Sequence, residues 1–537
     1  MKKIQYLFAT IILGFALTSC GDSFLTQYPE GGTLLQDQFE KLPDNLQGSI
    51  MGIYSKMYEY GGDHDEFGQR AIDMYGDIQS GDMAMASSSY GWFEVYERGY
   101  FYAYAPSYIW SYYYDMLNLI NISAIAVEDN VPAIIDGMSG GELSEATKLW
   151  GYYYGQILAL RGWAYAGLLR YFCDPMDMLS NPMDEELSIP VYTETEVKSG
   201  QMGAPRATVS EVYDRIYEDL SLAIELLDFY GQINSRGSKL EVDADVARII
   251  LAYAMLNHGD KSAKIFDKNT KNAYEVAIEL ASAVIAGGRY PIMKQADLTT
   301  TGFSDVSANN WMWGENVTVE NSTALASFFG QVDIHTYSYA AAGDTKAIDS
   351  KLYDEIAATG WDARVNWFND GTGDFPYCPE GKFYNPGTKD ITDLDNVDRN
   401  WLCDNVFMRV EVAYLIAAEA AWANGDPTTA VLYLKQLCDE RVIPGKEAAY
   451  ATWLAGLSGD ALKQALIYNW RVEMWGEGYG LQTLRRLSKT MTLGSNHLSR
   501  ADAEISIASE KVAYQCEIPS TETRYNPYLN NRNLTHK

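Results

Sequence analysis

The sequence predicts a mostly α-helical fold built from paired helices, and three observations support this prediction. Apolar residues recur at helical spacing in several long stretches. Gly, Asp and Pro interrupt these stretches at positions where they can end one helix and begin the next. The hydrophobic content of 47% in 537 residues provides for a packed core and excludes a generally disordered chain.

The first element, residues 1–19, is predicted to be a lipoprotein signal peptide. Lys2 and Lys3 precede a short apolar run that has signal-peptide length and is too short to cross a bilayer. The run ends in Leu17-Thr-Ser-Cys20, which resembles the lipobox of bacterial lipoproteins. We therefore expect cleavage before Cys20 and lipidation of its sulfur, so that residues 20–537 are held on the membrane by acyl chains. An ordinary secretory signal with an incidental cysteine is the alternative.

Three helix pairs follow along the chain. The first is predicted at 156–172 and 210–227, and the second at 245–256 and 274–285, where Gly259 separates the two helices. Small Ala residues at facing positions would let such helices approach closely, as in tetratricopeptide-like stacks. The spacing between pairs is irregular, so we expect an irregular array.

The third pair, within 408–442, has the clearest sequence signals for its ends. Asn424-Gly425 can stop the first helix in a left-handed cap, and Asp426 can cap the second. Pro427 then occupies the first helical position, where a missing N–H costs nothing. This stretch predicts a helix-turn-helix hairpin.

Two irregular regions, about 76–107 and 299–405, are rich in Gly, Pro, Asp and aromatic residues. Long irregular segments within a compact protein are usually functional or disordered, and their many rings argue against disorder. Tyr and Trp rings can stack on the apolar faces of sugars. The candidate ligand-binding residues are therefore Tyr90, Trp92, Phe93, Trp311, Trp313, Tyr337, Tyr339 and Trp367. For each ring, ordinary packing under a loop is the alternative, and we expect only one of Trp311 and Trp313 to point outward.

Net charge and motifs exclude several classes of protein. The formal charge of −31 repels phosphate backbones, which disfavours nucleic acid as a partner and favours a neutral ligand or a protein with a basic face. The sequence contains no HExxH, GxSxG, Walker A or GxGxxG motif. We therefore predict no enzyme activity, no cofactor and no metal site. A glycoside hydrolase needs only two carboxylates, so it stays open as an alternative.

Three weaker patterns were considered. His64-Asp65-Glu66 could supply ligands to a metal ion, but an exposed turn is the preferred interpretation. The acidic residues between 390 and 398 loosely resemble a calcium loop, yet they lack the Gly and the terminal Glu of an EF-hand, so a solvated loop is preferred. Cys378 and Cys403 flank one loop-like region and could pair, although the sequence does not decide this.

Several motifs, spread in order over almost the whole chain, resemble those of the SusD/RagB family of outer-membrane nutrient-binding lipoproteins of the Bacteroidota. The motifs are CGDSFLTQYP (20–29), Trp110 to Asn121, QILALRGWAYAGLLRYFCDPM (156–176), PRATVSEVYDRIYEDLSLAIELL (205–227), MRVEVAYLIAAEA (408–420), RVEMWGEGYGLQTLRR (471–486) and EIPSTETRYNP (517–527). Two departures are Cys173, where the family usually has Gly, and the absence of Arg-Trp-x-Asp after Gly476.

The resemblance implies a single domain over 20–537 with a right-handed tetratricopeptide-like scaffold and a loop-rich, variable ligand face. It also implies a lipid-anchored, cell-surface protein that acts as a lid over a SusC-like TonB-dependent transporter and delivers glycan to it without catalysis. Peptide binding, as in RagB-like relatives, is the alternative ligand class. A purely structural scaffold is a further alternative.

Overall fold

The computed structural model describes residues 43–97, 104–173, 187–232, 238–259, 270–389, 401–487, 490–506 and 516–529. The predicted signal peptide, Cys20 and the acidic run 390–398 lie outside these residues. Helices dominate the described part of the chain, as the sequence predicts.

The N-terminal half contains most of the long helices. They are α1 (Pro43–Lys56), α2 (Gln69–Ser80), α3 (Glu94–Glu97), α4 (Tyr104–Val127), α5 (Val131–Met138), α6 (Glu145–Phe172), α7 (Glu194–Ser199), α8 (Val209–Tyr230), α9 (Ala244–His258) and α10 (Ala273–Gly287). The C-terminal half continues with α11 (Phe328–Val332), α12 (Ser350–Thr359), α13 (Glu411–Ala423), α14 (Pro427–Cys438), α15 (Glu447–Ala455), α16 (Gly459–Glu473), α17 (Gly480–Leu487) and α18 (Ser520–Tyr525).

The long helices form a continuous stack in which each one packs against the next. In order, the neighbours are α4, α6, α8, α9, α10, α13 and α14. The predicted pairs therefore exist: 156–172 and 210–227 lie in α6 and α8, and 245–256 and 274–285 lie in α9 and α10. Both α8 and α10 begin with a capping box, in which a side chain and a Glu three residues later satisfy free N–H groups reciprocally.

The hairpin predicted within 408–442 is formed by α13 and α14. Asn424 ends α13, and Gly425 adopts the left-handed conformation with φ 90°. The side chain of Asp426 accepts a hydrogen bond from the N–H of Thr429 and caps α14, which starts at Pro427.

Glycines let α6 and α8 approach each other more closely than other residues would allow. A Cβ added to Gly151 would lie 2.4 Å from the ring of Tyr230, and one added to Gly162 would lie 2.6 Å from Leu220. Real Cβ contacts are longer, so any larger residue at these positions would push the helices apart. The sequence prediction considered small residues only as alanines of the pair at 245–256 and 274–285, whereas α6 and α8 approach each other at glycines.

Small antiparallel sheets tie distant segments together. The strands are β1 (Met83–Met85), β2 (Leu187–Pro190), β3 (Arg206–Thr208), β4 (Trp311–Glu315), β5 (Lys346–Ile348), β6 (Asn405–Arg409), β7 (Thr490–Thr492) and β8 (Glu504–Ser506). They pair as β1–β5, β2–β3, β4–β6 and β7–β8. The β1–β5 pair joins the first irregular region to the second, which places the loops beside these strands next to each other.

A buried cluster of charged residues holds the C-terminal half together. Glu473 accepts hydrogen bonds from Arg364, Arg409 and Arg441 at 2.6–3.0 Å. Glu477 accepts from Arg409 and Lys382. Burial alone would raise the pKa of Glu473, but Arg441 and Arg409 lower that pKa well below its ordinary value.

The irregular regions are smaller than predicted at their edges. Residues 76–80 belong to α2 and residues 104–107 to α4.

The Cys378–Cys403 bridge is not formed: the cysteines in the described ranges are all free and buried. Within those ranges, no helix combines the length and the apolar character that crossing a bilayer requires.

Candidate functional site

Five aromatic side chains meet at the surface beside the β1–β5 pair, and we call them the ring cluster. They are Tyr60, His64, Tyr90, Trp92 and Tyr339. The rings of His64 and Trp92 stack with centroids 5.2 Å apart and planes 14° apart. Tyr339 meets Tyr90, Trp92 and His64 edge-on at 5.2–6.1 Å. Tyr90 is 57% and Tyr60 44% exposed, so the cluster presents ring surface to solvent.

The segment that carries Tyr90 and Trp92 is anchored by a carboxylate from the second irregular region. Oδ1 of Asp344, a fully buried residue, accepts hydrogen bonds from the backbone N–H groups of Ser89 and Tyr90, the latter at 2.8 Å. The hydroxyl of Ser87 donates to the carbonyl of Gly343 at 2.8 Å. The two segments therefore form one continuous surface.

A second set of hydrogen bonds holds His64. Its Nδ1 lies 2.6 Å from Oη of Tyr339, and its carbonyl accepts a hydrogen bond from Nε2 of Gln331 at 2.8 Å. Oε1 of Gln331 in turn accepts from Nζ of Lys346 at 2.7 Å. Lys346 lies beneath the ring cluster with no exposed surface, and its Nζ is 4.0 Å from Oδ2 of Asp344.

Lys346 therefore lies between the two groups that hold the ring cluster, Gln331 on the side of His64 and Asp344 on the side of Tyr90. Burial lowers its pKa to about 8, while Asp344 opposes this shift. Because one ammonium group contacts both Gln331 and the carboxylate that holds Tyr90, the two sides of the cluster are positioned together.

Of the eight rings predicted from the sequence, the structure brings three together and places four in the core. Tyr90, Trp92 and Tyr339 belong to the ring cluster. The four core residues, with at most 1% of their surface exposed, are Phe93, Trp311, Trp313 and Trp367. A ring without exposed surface cannot stack on a ligand at the surface, so these four are reassigned to packing roles.

The reasons for their burial are visible in the structure. Phe93 packs against Phe67 and Tyr75 beneath Trp92. Both faces of β4 are covered, so neither Trp311 nor Trp313 points outward. The expectation that one of them would was wrong, since alternation along a strand places residues i and i+2 on the same face. Nε1 of Trp367 donates a hydrogen bond to the carbonyl of Leu298 at 2.8 Å.

The eighth ring, Tyr337, is 36% exposed and lies outside the ring cluster. Its carbonyl accepts a hydrogen bond from Nε1 of Trp401 at 2.9 Å.

Sequence analysis missed two members of the ring cluster as ligand candidates. Tyr60 lies four residues after the end of α1, and an aromatic residue directly before Gly61-Gly62 was the signal that could have identified it. His64 was considered only as a possible metal ligand or as part of an exposed turn. The described residues contain no group of three or more His, Cys, Asp or Glu side chains arranged to hold a metal ion.

The surroundings of the ring cluster are acidic. Asp63 and Glu66 flank the turn that carries His64, and Glu94 begins the short helix after Trp92. Burial raises the pKa of Asp65 to about 6. The cluster thus combines flat apolar faces and phenol hydroxyls with a negative local field, which disfavours an anionic ligand.

Comparison with known proteins adds a family match and a set of structural relatives. Residues 38–251 match the sequence profile of a SusD-like family described as "Starch-binding associating with outer membrane". No curated protein matches the chain in sequence.

Crystal structures of Bacteroides proteins share the fold over nearly the whole chain. A SusD-like carbohydrate binding protein from Bacteroides vulgatus is 22% identical, with a TM-score of 0.66 over 91% of this chain and 97% of that one. A SusD superfamily protein from Bacteroides thetaiotaomicron is 18% identical, with a TM-score of 0.66 over 92% and 100%. A SusD superfamily protein from Bacteroides fragilis is also 18% identical, with a TM-score of 0.67 over 91% and 99%. At these identities the likeness shows a shared fold.

Proposed function

Residues 38–251 match the SusD-like family and the chain has the SusD-superfamily fold; from this premise, we propose that the protein is a non-catalytic glycan-binding protein of the outer membrane. It captures an oligosaccharide or polysaccharide at the cell surface and delivers it to a SusC-like TonB-dependent transporter. The family description and the names of the structural relatives support a carbohydrate ligand.

The observation that carries this proposal is the exposed ring cluster. Sugars have apolar C–H faces that stack on Trp and Tyr rings, and their hydroxyls bond to phenol and carboxylate oxygens. Tyr90, Trp92 and Tyr339 supply the rings, and Asp344 and Lys346 fix their positions from below. A surface with prearranged rings loses less side-chain entropy when it binds a ligand.

We further propose that the glycan is uncharged. Asp63, Glu66 and Glu94 lie in the segments that carry the cluster, and the whole protein has a formal charge of −31. Uronic acids and sulfated sugars would meet like charge at this surface, whereas a neutral glycan would not.

Anchoring through Cys20 completes the proposal. It rests on the lipobox-like sequence, since Cys20 lies outside the described residues. Two or three acyl chains on Cys20 would hold the protein firmly on the membrane. Radiolabelled palmitate should mark the wild-type chain in cells and should leave Cys20→Ala unmarked; an unmarked wild-type chain would refute the anchor.

Affinity gel electrophoresis with neutral and with uronic-acid polysaccharides tests the ligand. A neutral polysaccharide should retard the purified protein, and Trp92→Ala should weaken retardation at least about fivefold, which corresponds to the loss of about 1 kcal/mol of ring contact. Tyr525→Ala is the matched control, because Tyr525 is a 72% exposed ring on α18 and should not affect binding.

Three outcomes would contradict the proposal. Equal retardation of wild type and Trp92→Ala would show that the site is elsewhere. Retardation only by charged polysaccharides would refute the neutral ligand. Release of oligosaccharides during incubation would favour the glycoside hydrolase alternative.

A further inference from the structure

A cavity separate from the ring cluster lies inside the helical scaffold, beside α6, α9 and α17. Trp163 and Arg170 of α6, Tyr253 of α9 and Tyr479 line it, and it shares no residue with the ring cluster. It leaves about 70 Å³ in which the centre of a water molecule can move, compared with about 10–15 Å³ for a single water. A small organic molecule therefore fits within it.

Arg170 is the unusual member of this lining. Its Cζ lies 4.9 Å from the ring centroid of Tyr253 and 6.0 Å from that of Tyr479, so the guanidinium is enclosed by rings. Within the described ranges, this guanidinium makes no hydrogen bond and no ion pair. A guanidinium carries five N–H donors, and the partly exposed side chain of Arg170 leaves them available to a ligand in the cavity.

The other charged side chains of the lining have partners of their own. Asp73 accepts from Gln69 and Arg70 at 2.8–2.9 Å. Glu477 is bonded to Arg409, and Arg486 to Glu419. Asp73 attracts Arg170 only through space, since its oxygens are already bonded. Three arginines and two acids line the cavity, which leaves one positive charge in excess.

We propose that this cavity binds a small monocarboxylate with a flat apolar body, whose carboxylate pairs with the guanidinium of Arg170. The planar fork of Arg matches a carboxylate in two parallel hydrogen bonds. The rings of Trp163, Tyr253 and Tyr479 provide surfaces for the apolar body. This ligand differs in charge from the neutral glycan proposed for the surface, so the two sites are distinguishable.

The test uses 4-fluorobenzoate as the probe and follows its ¹⁹F NMR signal with the purified protein. Wild type should broaden and shift the signal in a saturable way, and the neutral isostere 4-fluorobenzamide should bind at least tenfold more weakly. Arg170→Gln should weaken 4-fluorobenzoate binding at least tenfold. Arg289→Gln, which removes a 52% exposed arginine side chain outside the cavity, should leave binding unchanged.

A second variant, Ala166→Leu, tests the cavity without changing its charge. Ala166 lines the cavity, so the larger side chain should fill it and abolish probe binding while retardation by polysaccharide persists. The proposal fails if wild type does not bind 4-fluorobenzoate, if the amide binds as tightly, or if Ala166→Leu binds the probe like wild type. If Arg170→Gln does not fold, the amide comparison and Ala166→Leu decide the matter.

Discussion

Two adjacent residues, Trp92 and Phe93, illustrate how the ring cluster is held at the surface. Phe93 adopts a left-handed backbone conformation with φ 68°, which is unfavourable for a bulky residue. Its ring is buried against Phe67 and Tyr75, and Nζ of Lys346 lies 5.6 Å from its centroid. Burial of Phe93 therefore offsets a strained backbone, while Trp92 beside it stays partly exposed.

Sequence reasoning identified the loops but could not separate these two roles. Trp92 and Phe93 are adjacent aromatic residues in the same loop of the sequence. Only the tertiary contacts decide which of the two rings is buried. The same holds for Trp313, whose ring packs against Trp163 and Phe407. In contrast, Trp470 lies at helical spacing within α16, a local pattern typical of a core residue, and it is fully buried.

Glu315 gives a prediction about pH dependence. Burial raises its pKa to about 8, and Nδ2 of Asn405 donates to it at 3.0 Å. The folded state thus holds a proton that the unfolded chain releases above pH 4.5, so this group stabilises the fold at low pH and loses that effect as pH rises toward 8. Glu315→Gln should match wild type at pH 5 and be more stable at pH 9.

Chemical denaturation of both proteins between pH 5 and pH 9 measures this difference. Each pH unit within the window contributes at most about 1.4 kcal/mol to the free energy of unfolding. Glu320→Gln is the control, because Glu320 is fully exposed and a hydrogen bond from Thr318 lowers its pKa. Parallel pH profiles of wild type and Glu315→Gln would contradict the assignment.

Among the elements, α6 and α8 depend most on small residues at their contact. The sequence predicted both helices and their pairing correctly, because apolar periodicity is a local signal. The capping box at Thr208 is a further local signal, which the prediction did not use. It did not identify glycine as the residue of closest approach, since a glycine in a helix gives no sign of what lies opposite. The structure supplies that neighbour: Leu220 for Gly162 and Tyr230 for Gly151.

Gly162→Ala should destabilise the protein, although alanine is the better helix former. The added Cβ would meet Leu220 at 2.6 Å, and overpacking of this kind costs about 1–3 kcal/mol. Gly48→Ala in α1 is the matched control: no atom lies within 4 Å of the new Cβ, so it should stabilise by up to about 1 kcal/mol. Thermal unfolding of both variants measures the contrast, and equal stabilisation would show that α6 and α8 separate easily.

At the scale of the whole molecule, buried ion pairs connect segments far apart in sequence. Arg161 bonds to Asp219 in two parallel hydrogen bonds and joins α6 to α8. Glu419 and Arg486 join α13 to α17 in the same way. These residues lie within the motifs that carry the SusD/RagB resemblance. The motifs therefore explain why the scaffold could be predicted, whereas the ring cluster lies outside them and was predicted only in part.

Glu473→Gln tests the largest of these clusters. The substitution keeps the shape of the side chain but removes the charge that faces Arg364, Arg409 and Arg441, all fully buried. Removing one partner from a buried ion pair costs about 3–5 kcal/mol, so we expect a loss of that size in chemical denaturation.

Glu128→Gln is the control for this experiment. Glu128 forms an exposed ion pair with Lys198, and such pairs contribute at most about 1 kcal/mol. If Glu473→Gln costs no more than Glu128→Gln, the buried cluster does not hold the C-terminal half together.

The anchoring of Tyr90 by Asp344 also affects when the ring cluster can form. The two residues are separated by 254 positions, and the ribosome must add all of them after Tyr90 before the anchor exists. A nascent chain that has completed only its first helices thus lacks an ordered ring cluster. The cluster is consequently completed late in biogenesis, only after more than half of the polypeptide has been made.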